Sequence, residues 1–140
     1  MAGIRKLLIP IDGSDNSLRA LAYVTSVRAA KDLQICLLNV QLPLPASLFV
    51  TEAMIEQYHD SKSKAALGRA RRVLAKHHVS AESFVRIGDP AAAIVKFTTD
   101  RHCSEIVMGT RGLGSLKGLL LGSVTTKIIH LARVPVTVVP

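Results

Sequence analysis

The chain has 140 residues, a length typical of one domain, and 49% of them are hydrophobic, which is enough for a substantial core. It has no tryptophan and only 4% aromatic residues, so we expect an aliphatic core. The formal net charge of +8 favours an anionic partner such as a nucleotide, a nucleic acid or an acidic surface, without choosing among them.

Membrane and metal signals are absent from the sequence. No apolar run approaches the roughly 20 residues of a membrane span, and the short apolar stretch that ends at Asp12 does not resemble a secretory signal. We therefore expect a cytoplasmic protein without a membrane partner. The cysteines, Cys36 and Cys103, belong to no CxxC or Cys/His cluster. They are predicted to be buried free thiols, and we expect no metal site of protein ligands.

Short apolar runs alternate with helical patterns along the chain. The predicted strands are Lys6–Ile11, Gln34–Val40, Glu82–Ile87, Glu105–Gly109 and Val134–Val139. The predicted helices run from about Asp15 to Ala29, Thr51 to His78, Pro90 to Arg101 and Ser123 to Arg133, with a break allowed near 61–63. We expect Asp15, Asn16 or Ser17 to cap the first helix, and Asp89 to cap the third.

Five strands that alternate with four helices predict an open parallel sheet with helices on both faces. Right-handed crossovers make this a doubly wound α/β fold, here a single domain over residues 1–140. Ligands of such sheets bind beyond the carboxyl ends of the strands, where the strand order reverses. Those ends are predicted at Asp12, Val40, Gly88 and Gly109.

The stretch GTRGLGSLKGLLLGSV, residues 109–124, follows the fourth predicted strand directly. Its spacing fits neither a P-loop nor a dinucleotide fingerprint. Glycines at 109 and 112 would let the backbone approach a phosphate chain, and Gly122-Ser123 precedes a helix whose N-terminus favours an anion. Arg111 would supply further donors to phosphate. The alternative is a connecting loop in which Ser123 caps the helix.

Taken together, these segments resemble the universal stress protein family. The spacing G-x2-G-x9-G-[S/T] is similar to the ATP-binding signature of that family. The resemblance covers nearly the whole chain through four segments: IPIDGSDNSLRAL, RIGDPAAAI, IVMGTRGLGSLKGLLLGSV and RVPVTVV. It implies an adenine nucleotide alpha hydrolase-like fold with strand order 3-2-1-4-5.

The resemblance also implies a site that binds ATP, with Mg²⁺ as the physiological ion. The residues implied at the adenine and ribose end are Pro10, Ile11, Asp12, Val40, Met108 and Gly109. Those implied around the sugar and phosphates are Thr110, Arg111, Gly112, Gly122, Ser123, Val124 and Thr125. The segment Leu113–Leu121 would form a lid. The last strand, Val136–Val139, would pair with its copy in a homodimer.

Some residues keep a second interpretation. Asp12 could simply close a turn onto Gly13-Ser14. The basic stretch Ser61–His78 is typical of a solvated helix face, with nucleic-acid contact as the alternative; that contact is disfavoured because no aromatic residues are interleaved for base stacking.

The expected function is an ATP-binding regulatory module of the stress response, with at most slow hydrolysis or autophosphorylation at Ser123. The alternative is a slow ATPase or nucleotidyl transferase, although no strong general base is visible near the phosphate end. A receiver domain shares the five-strand pattern but needs a lysine after the fifth strand, which this sequence lacks.

Overall fold

The computed structural model describes residues 5–27, 33–111 and 121–140. Five strands and four helices alternate in the order β1 (Arg5–Pro10), α1 (Asp15–Val27), β2 (Leu33–Gln41), α2 (Glu52–Lys76), β3 (Glu82–Ile87), α3 (Pro90–Asp100), β4 (Glu105–Gly109), α4 (Ser123–Leu131) and β5 (Val136–Val139). Every predicted element is present, with ends that differ from the prediction by at most one or two residues.

The strands form one parallel sheet in the order β3-β2-β1-β4-β5, as predicted. In register, Leu8 of β1 lies between Cys36 of β2 and Ile106 of β4. The chain fills the sheet outward from β1 to β3 and then crosses back to place β4 on the other side of β1. The strand order therefore reverses at β1, which is where a crevice opens in a doubly wound sheet.

Two aliphatic clusters cover the two faces of the sheet. Leu7 and Ile9 of β1 belong to the cluster beneath α1 and α2, whereas Leu8 belongs to the cluster beneath α3 and α4. Successive residues of β1 thus point to opposite faces, and both faces are buried. This explains why the strands read as unbroken apolar runs rather than as an alternation of polar and apolar residues.

Helix α2 is continuous, so the break allowed near 61–63 is wrong. Ser63 is buried within the helix and its hydroxyl donates to the Asp60 carbonyl at 3.0 Å, which satisfies it without interrupting the backbone. The buried side of α2 consists of His59, Ser63, Ala66, Leu67, Ala70 and Leu74. The basic side chains of this helix are exposed, in keeping with a solvated face.

The start of α1 also differs from the prediction, because Ser14 rather than Asp15, Asn16 or Ser17 is the cap. The Ser14 hydroxyl accepts from the backbone N–H of Ser17 at 3.1 Å. Gly13 has φ +89, a conformation that glycine adopts readily and that turns the chain immediately after β1. The predicted cap of α3 is confirmed: the Asp89 carboxylate accepts from the Ala92 N–H at 3.0 Å.

Cys36 and Cys103 are buried free thiols, as predicted. A hydrogen bond between the two thiols lowers the pKa of Cys36 below that of an ordinary thiol and raises the pKa of Cys103. Within the described ranges, no helix is long and apolar enough to cross a membrane.

Candidate functional site

A cleft of about 510 Å³ opens beyond the carboxyl ends of β1, β2 and β4 and reaches the start of α4. It therefore lies at the reversal of strand order, on the side of the sheet where the sequence predicted a ligand. Most of the predicted site residues line it, namely Pro10, Ile11, Asp12, Val40, Met108, Gly109, Arg111, Gly122, Ser123, Val124 and Thr125. Their contact with a nucleotide stays a prediction.

Thr110 is the one predicted site residue within the described ranges that does not line the cleft. The Thr110 N–H donates to the Val139 carbonyl of β5 at 3.1 Å, and the Thr110 carbonyl accepts from the Gly122 N–H at 2.7 Å. These backbone bonds join the end of β4 to β5 and to the start of α4, and Thr110 is not among the lining residues. Gly112 lies outside the described residues, as does nearly all of the predicted lid.

The structure shows the first of the two roles that the sequence left open for Asp12, the closing of a turn, and the contact with a nucleotide stays a prediction. Its Oδ1 accepts from the Ser14 N–H at 2.9 Å, which closes the turn between β1 and α1. The residue also lines the cleft. The turn therefore holds the carboxylate at the end of β1, among the residues that line the cleft.

Gly109 is required for a reason that the sequence did not reveal. A Cβ at this position would overlap the side-chain amide of Asn16. Asn16 is 7% exposed, and its Oδ1 accepts from the Arg111 N–H at 2.7 Å. The missing side chain of Gly109 thus makes room for a buried amide from α1, which fixes the backbone that leaves β4.

The start of α4 is built from backbone groups. Gly122 is the N-cap, and its carbonyl accepts the first helical bond from the Thr126 N–H at 3.0 Å. Ser123 is the first residue of the helix, so the alternative in which its hydroxyl caps α4 is wrong. Because glycine has no side chain to cap with, the first-turn N–H groups of Ser123 and Val124 receive no capping bond from the N-cap residue. A helix N-terminus of this kind favours the binding of an anion, because its N–H groups and the positive end of the helix dipole attract negative charge.

Thr125 anchors this end of the cleft to the sheet. Its buried hydroxyl donates to the Gly109 carbonyl at 3.1 Å. The predicted phosphate contact of Thr125 would therefore have to come from its backbone, because the hydroxyl proton is already used inside the protein.

The sequence missed a second group of lining residues, which come mostly from β2, α2 and α3. They are Ser17, Leu38, Asn39, Gln41, Leu42, Leu44, Tyr58, Lys62, Pro90 and Ile94. Asn39 and Gln41 did carry a signal, since they are two polar residues at alternate positions at the end of an apolar strand and so share a face. Tyr58 and Lys62 lie within a long helix, and nothing in its periodicity indicates a cleft.

Hydrogen bonds link Asn39 and Gln41 to each other and to α2. Asn39 Nδ2 donates to the Ile11 carbonyl at 2.8 Å, and Gln41 Nε2 donates to Asn39 Oδ1 at 3.0 Å. Gln41 Nε2 also donates to the His59 carbonyl at 2.8 Å, and Gln41 Oε1 lies 2.8 Å from His59 Nδ1. The β2 end of the cleft is therefore a connected set of polar side chains.

Comparison with known proteins assigns the family. The sequence profile of the universal stress protein family matches residues 3–140. The chain belongs to the universal stress protein family. It is 31% identical to universal stress protein YxiE of Bacillus subtilis over 96% of this chain and 97% of that protein. As a universal stress protein, it has the adenine nucleotide alpha hydrolase-like fold that the sequence resemblance implied.

Solved structures of other universal stress proteins share this fold. UspA from Lactobacillus plantarum superposes with a TM-score of 0.84 at 18% identity, with all of both chains covered. An Arabidopsis thaliana member with AMP bound gives 0.73 at 22% identity and covers 96% of this chain and 90% of its own. A structure from Archaeoglobus fulgidus in complex with dAMP gives 0.70 at 20% identity, again over both whole chains.

Proposed function

We propose that this universal stress protein binds ATP in the cleft and acts as a nucleotide-dependent regulatory module. The observation that carries the proposal is that one cleft runs from Val40 and Leu42 at the β2 end to the start of α4, where the N-cap residue Gly122 supplies no side-chain bond. The AMP and dAMP complexes of the Arabidopsis and Archaeoglobus proteins support an adenine nucleotide as the ligand class.

The two ends of the cleft suit the two ends of a nucleotide. The triphosphate goes to the start of α4, where backbone N–H groups and the positive end of the helix dipole attract an anion. Arg111 lies on the same side and adds a cation. The base goes to the opposite end, where Val40 and Leu42 offer an apolar surface.

A divalent ion, Mg²⁺ in the cell, accompanies the triphosphate in this proposal. The described residues contain no group of three or more His, Cys, Asp or Glu side chains that could hold a metal. Asp12 is the one carboxylate among the described residues that line the cleft. The ion would therefore be held mainly by the phosphates and water, as Mg²⁺ commonly is, and its role is to neutralise phosphate charge.

Hydrolysis is expected to be slow at most. The described lining residues include no histidine, and Asp12, the carboxylate among them, closes the turn after β1. Ser123 is exposed at the first position of α4, so it is the hydroxyl in this region that is best placed to accept a phosphoryl group. Turnover faster than about 1 s⁻¹, the low end of ordinary enzymes, would instead favour the alternative function, an ATPase or nucleotidyl transferase on the same fold.

Thermal melting with and without ATP and Mg²⁺ tests the proposal. At a nucleotide concentration of about 100 times the dissociation constant, binding should stabilise the fold by about 2.7 kcal/mol and raise the melting temperature by several degrees. Inorganic triphosphate and Mg²⁺ alone serve as controls for a nonspecific effect of anions. An unchanged melting temperature with ATP at millimolar concentration would remove nucleotide binding as the function.

We also propose that the protein forms a homodimer through β5. On one side β5 pairs with β4, from Ile106 opposite Val136 to Gly109 opposite Val139. Its other side is an edge of the sheet, and all four of its residues are only partly buried. An apolar edge strand needs a cover, which a second copy can supply.

Native mass spectrometry of the freshly purified protein tests the dimer and reports any co-purified nucleotide in the same spectrum. The Val138→Lys variant should shift the assembly toward the monomer, because a charged side chain on an edge strand opposes pairing. A wild-type chain that is monomeric at micromolar concentration would contradict the dimer and leave the nucleotide proposal standing.

A further inference from the structure

The polar network at the end of β2 has a fixed orientation, because two backbone carbonyls belong to it. Asn39 faces the Ile11 carbonyl at 2.8 Å, and Gln41 faces the His59 carbonyl at 2.8 Å. A carbonyl oxygen only accepts hydrogen bonds, so each amide must turn its nitrogen toward its carbonyl. A flipped Gln41 would bring its oxygen against two acceptors, the His59 carbonyl and Asn39 Oδ1.

This orientation uses both hydrogens of the Gln41 side-chain amide. One hydrogen of Nε2 goes to Asn39 Oδ1 at 3.0 Å and the other to the His59 carbonyl. The oxygen Oε1 lies 2.8 Å from His59 Nδ1, so that ring nitrogen carries the proton and donates. Oε1 keeps a second lone pair, for which the described residues supply no further donor. The hydrogen-bonding capacity left on Gln41 is therefore that of an acceptor.

Gln41 is the more exposed of the two amide side chains of the network that line the cleft. Asn39 is 3% exposed and His59 8%, whereas Gln41 is only half-buried and lines the cleft next to Val40 and Leu42. The buried residues Asn39 and His59 hold the Gln41 amide through hydrogen bonds. A site whose polar group is fixed in this way rejects a ligand that presents the wrong partner, because both groups would be left unpaired.

We infer that Gln41 is a specificity-determining residue that selects a purine carrying an amino group at position 6 over a 6-oxopurine. The inference rests on the proposed function, which places the base at the β2 end of the cleft. The 6-amino group of adenine donates and complements the fixed acceptor, whereas the 6-oxo group of hypoxanthine or guanine would face it as a second acceptor. Asn39 and His59 act as positioning residues for the amide.

Calorimetric titration of the full chain with three triphosphates in Mg²⁺ tests this assignment. ATP, inosine triphosphate and purine riboside triphosphate share the sugar and phosphates and carry an amino group, an oxo group and a hydrogen at position 6. Inosine triphosphate also carries a hydrogen on N1, so purine riboside triphosphate is the comparison that changes position 6 alone. We expect ATP to bind roughly tenfold more tightly than either analogue. If none of the three binds, the proposed function fails. If all three bind equally, this inference fails while nucleotide binding stands.

The Gln41→Met variant separates a specificity role from a structural one. Methionine keeps the length of the side chain and removes its acceptor, so the preference for ATP over purine riboside triphosphate should fall to within roughly twofold. Gln34→Met is the matched control: Gln34 lies on the same strand outside the cleft and donates to Glu82 at 3.2 Å, so its loss should leave the preference unchanged.

A Gln41→Met chain that binds all three ligands more weakly, yet keeps the wild-type preference, would show that the residue only supports the fold and would overturn the inference. Thermal melting establishes beforehand that the variant is folded. Should it not fold, the wild-type ratio of ATP to purine riboside triphosphate decides, because that ratio requires no mutation.

Discussion

The two ends of the cleft differ in the groups that line them, which are polar side chains at one end and backbone groups at the other. At the β2 end, hydrogen bonds among Asn39, Gln41 and His59 hold side chains in one orientation. At the α4 end, backbone groups line the site, and small residues bring them close together. The difference teaches that the two ends can be altered separately. Substitutions at the α4 end should change affinity or folding, whereas substitutions at the β2 end should change the choice of base.

The largest effect is expected from Gly109→Ala, which breaks the α4 end at its junction with α1. The added Cβ would overlap the Asn16 amide, and the Asn16 backbone carbonyl is close by, so the chain cannot relax by rotating a side chain alone. We expect a loss of about 3 kcal/mol in the free energy of unfolding. Urea denaturation measures it.

Gly68→Ala is the matched control for that substitution. Gly68 lies within α2, and a Cβ there would meet nothing within 4 Å. Alanine should leave the free energy of unfolding unchanged or raise it by up to about 1 kcal/mol, since glycine is unfavourable inside a helix. Equal losses in the two variants would show that the contact with Asn16 is not what makes Gly109 necessary.

The next largest effect is expected from Gly122→Val, which tests the backbone site for phosphate directly. Gly122 has φ −73 and ψ 166, an extended conformation that any residue adopts, so the substitution strains no backbone dihedral. Gly122 is buried and lines the cleft at the start of α4, so a valine there adds bulk beside the region proposed for phosphate. We expect ATP affinity to fall at least tenfold, or about 1.4 kcal/mol, in a calorimetric titration. An unchanged affinity would mean that the phosphates bind elsewhere.

A smaller effect is expected from Thr125→Val, which preserves shape and removes one hydroxyl. The variant leaves the Gly109 carbonyl without the bond it now accepts at 3.1 Å. We expect a loss of about 1 kcal/mol in the free energy of unfolding, because a buried acceptor loses its donor. Thermal melting measures the loss. ATP affinity should change less than in Gly122→Val, since the backbone of α4 stays in place.

The smallest effect is expected outside the cleft, at the exposed ion pair between Asp15 and Arg69. The two side chains meet at 2.7 Å across the turn that follows β1. A hydrogen bond from Arg69, together with its charge, lowers the pKa of Asp15 below its ordinary value of 3.8. A lowered carboxyl pKa adds stability above the unfolded-state pKa and loses it as the pH falls through the folded-state pKa.

Asp15→Asn should therefore be slightly less stable than wild type at pH 7, and the difference should disappear as the pH falls below 3.8. Urea denaturation of both proteins at pH 7 and again below pH 3.8 measures the difference in the free energy of unfolding. A difference that persists in acid would assign the effect to packing rather than to charge, and ATP affinity at pH 7 should not change.

The strands and helices were predictable because both faces of the sheet are covered. Burial on both sides produces the apolar runs of β1 and β4, and a helix that packs one face against them must repeat apolar residues at its own period. The cap of α1 was misplaced because the turn through Gly13 brings Ser14, not a later residue, to the helix start. The continuity of α2 was missed because a serine inside a helix looks like a break until its hydroxyl is seen to be satisfied.

Most of the cleft near β1, β4 and α4 could be foreseen, partly from the strand ends and the glycine segment and partly from the resemblance to universal stress proteins. The β2 side could not, because Gln41 and His59 are 18 residues apart and acquire a joint role only when α2 packs against the sheet. Tyr58 and Lys62 were missed for the same reason.

By itself, the sequence determined the alternation of strands and helices, the aliphatic core and the family, because periodicity and motif spacing are local properties of the chain. Only the tertiary structure decided that the space beside Gly109 is occupied by Asn16, and that both amide hydrogens of Gln41 are bonded within the protein. Both depend on contacts between distant segments, and the direction of a hydrogen bond is set by the partner that packing provides.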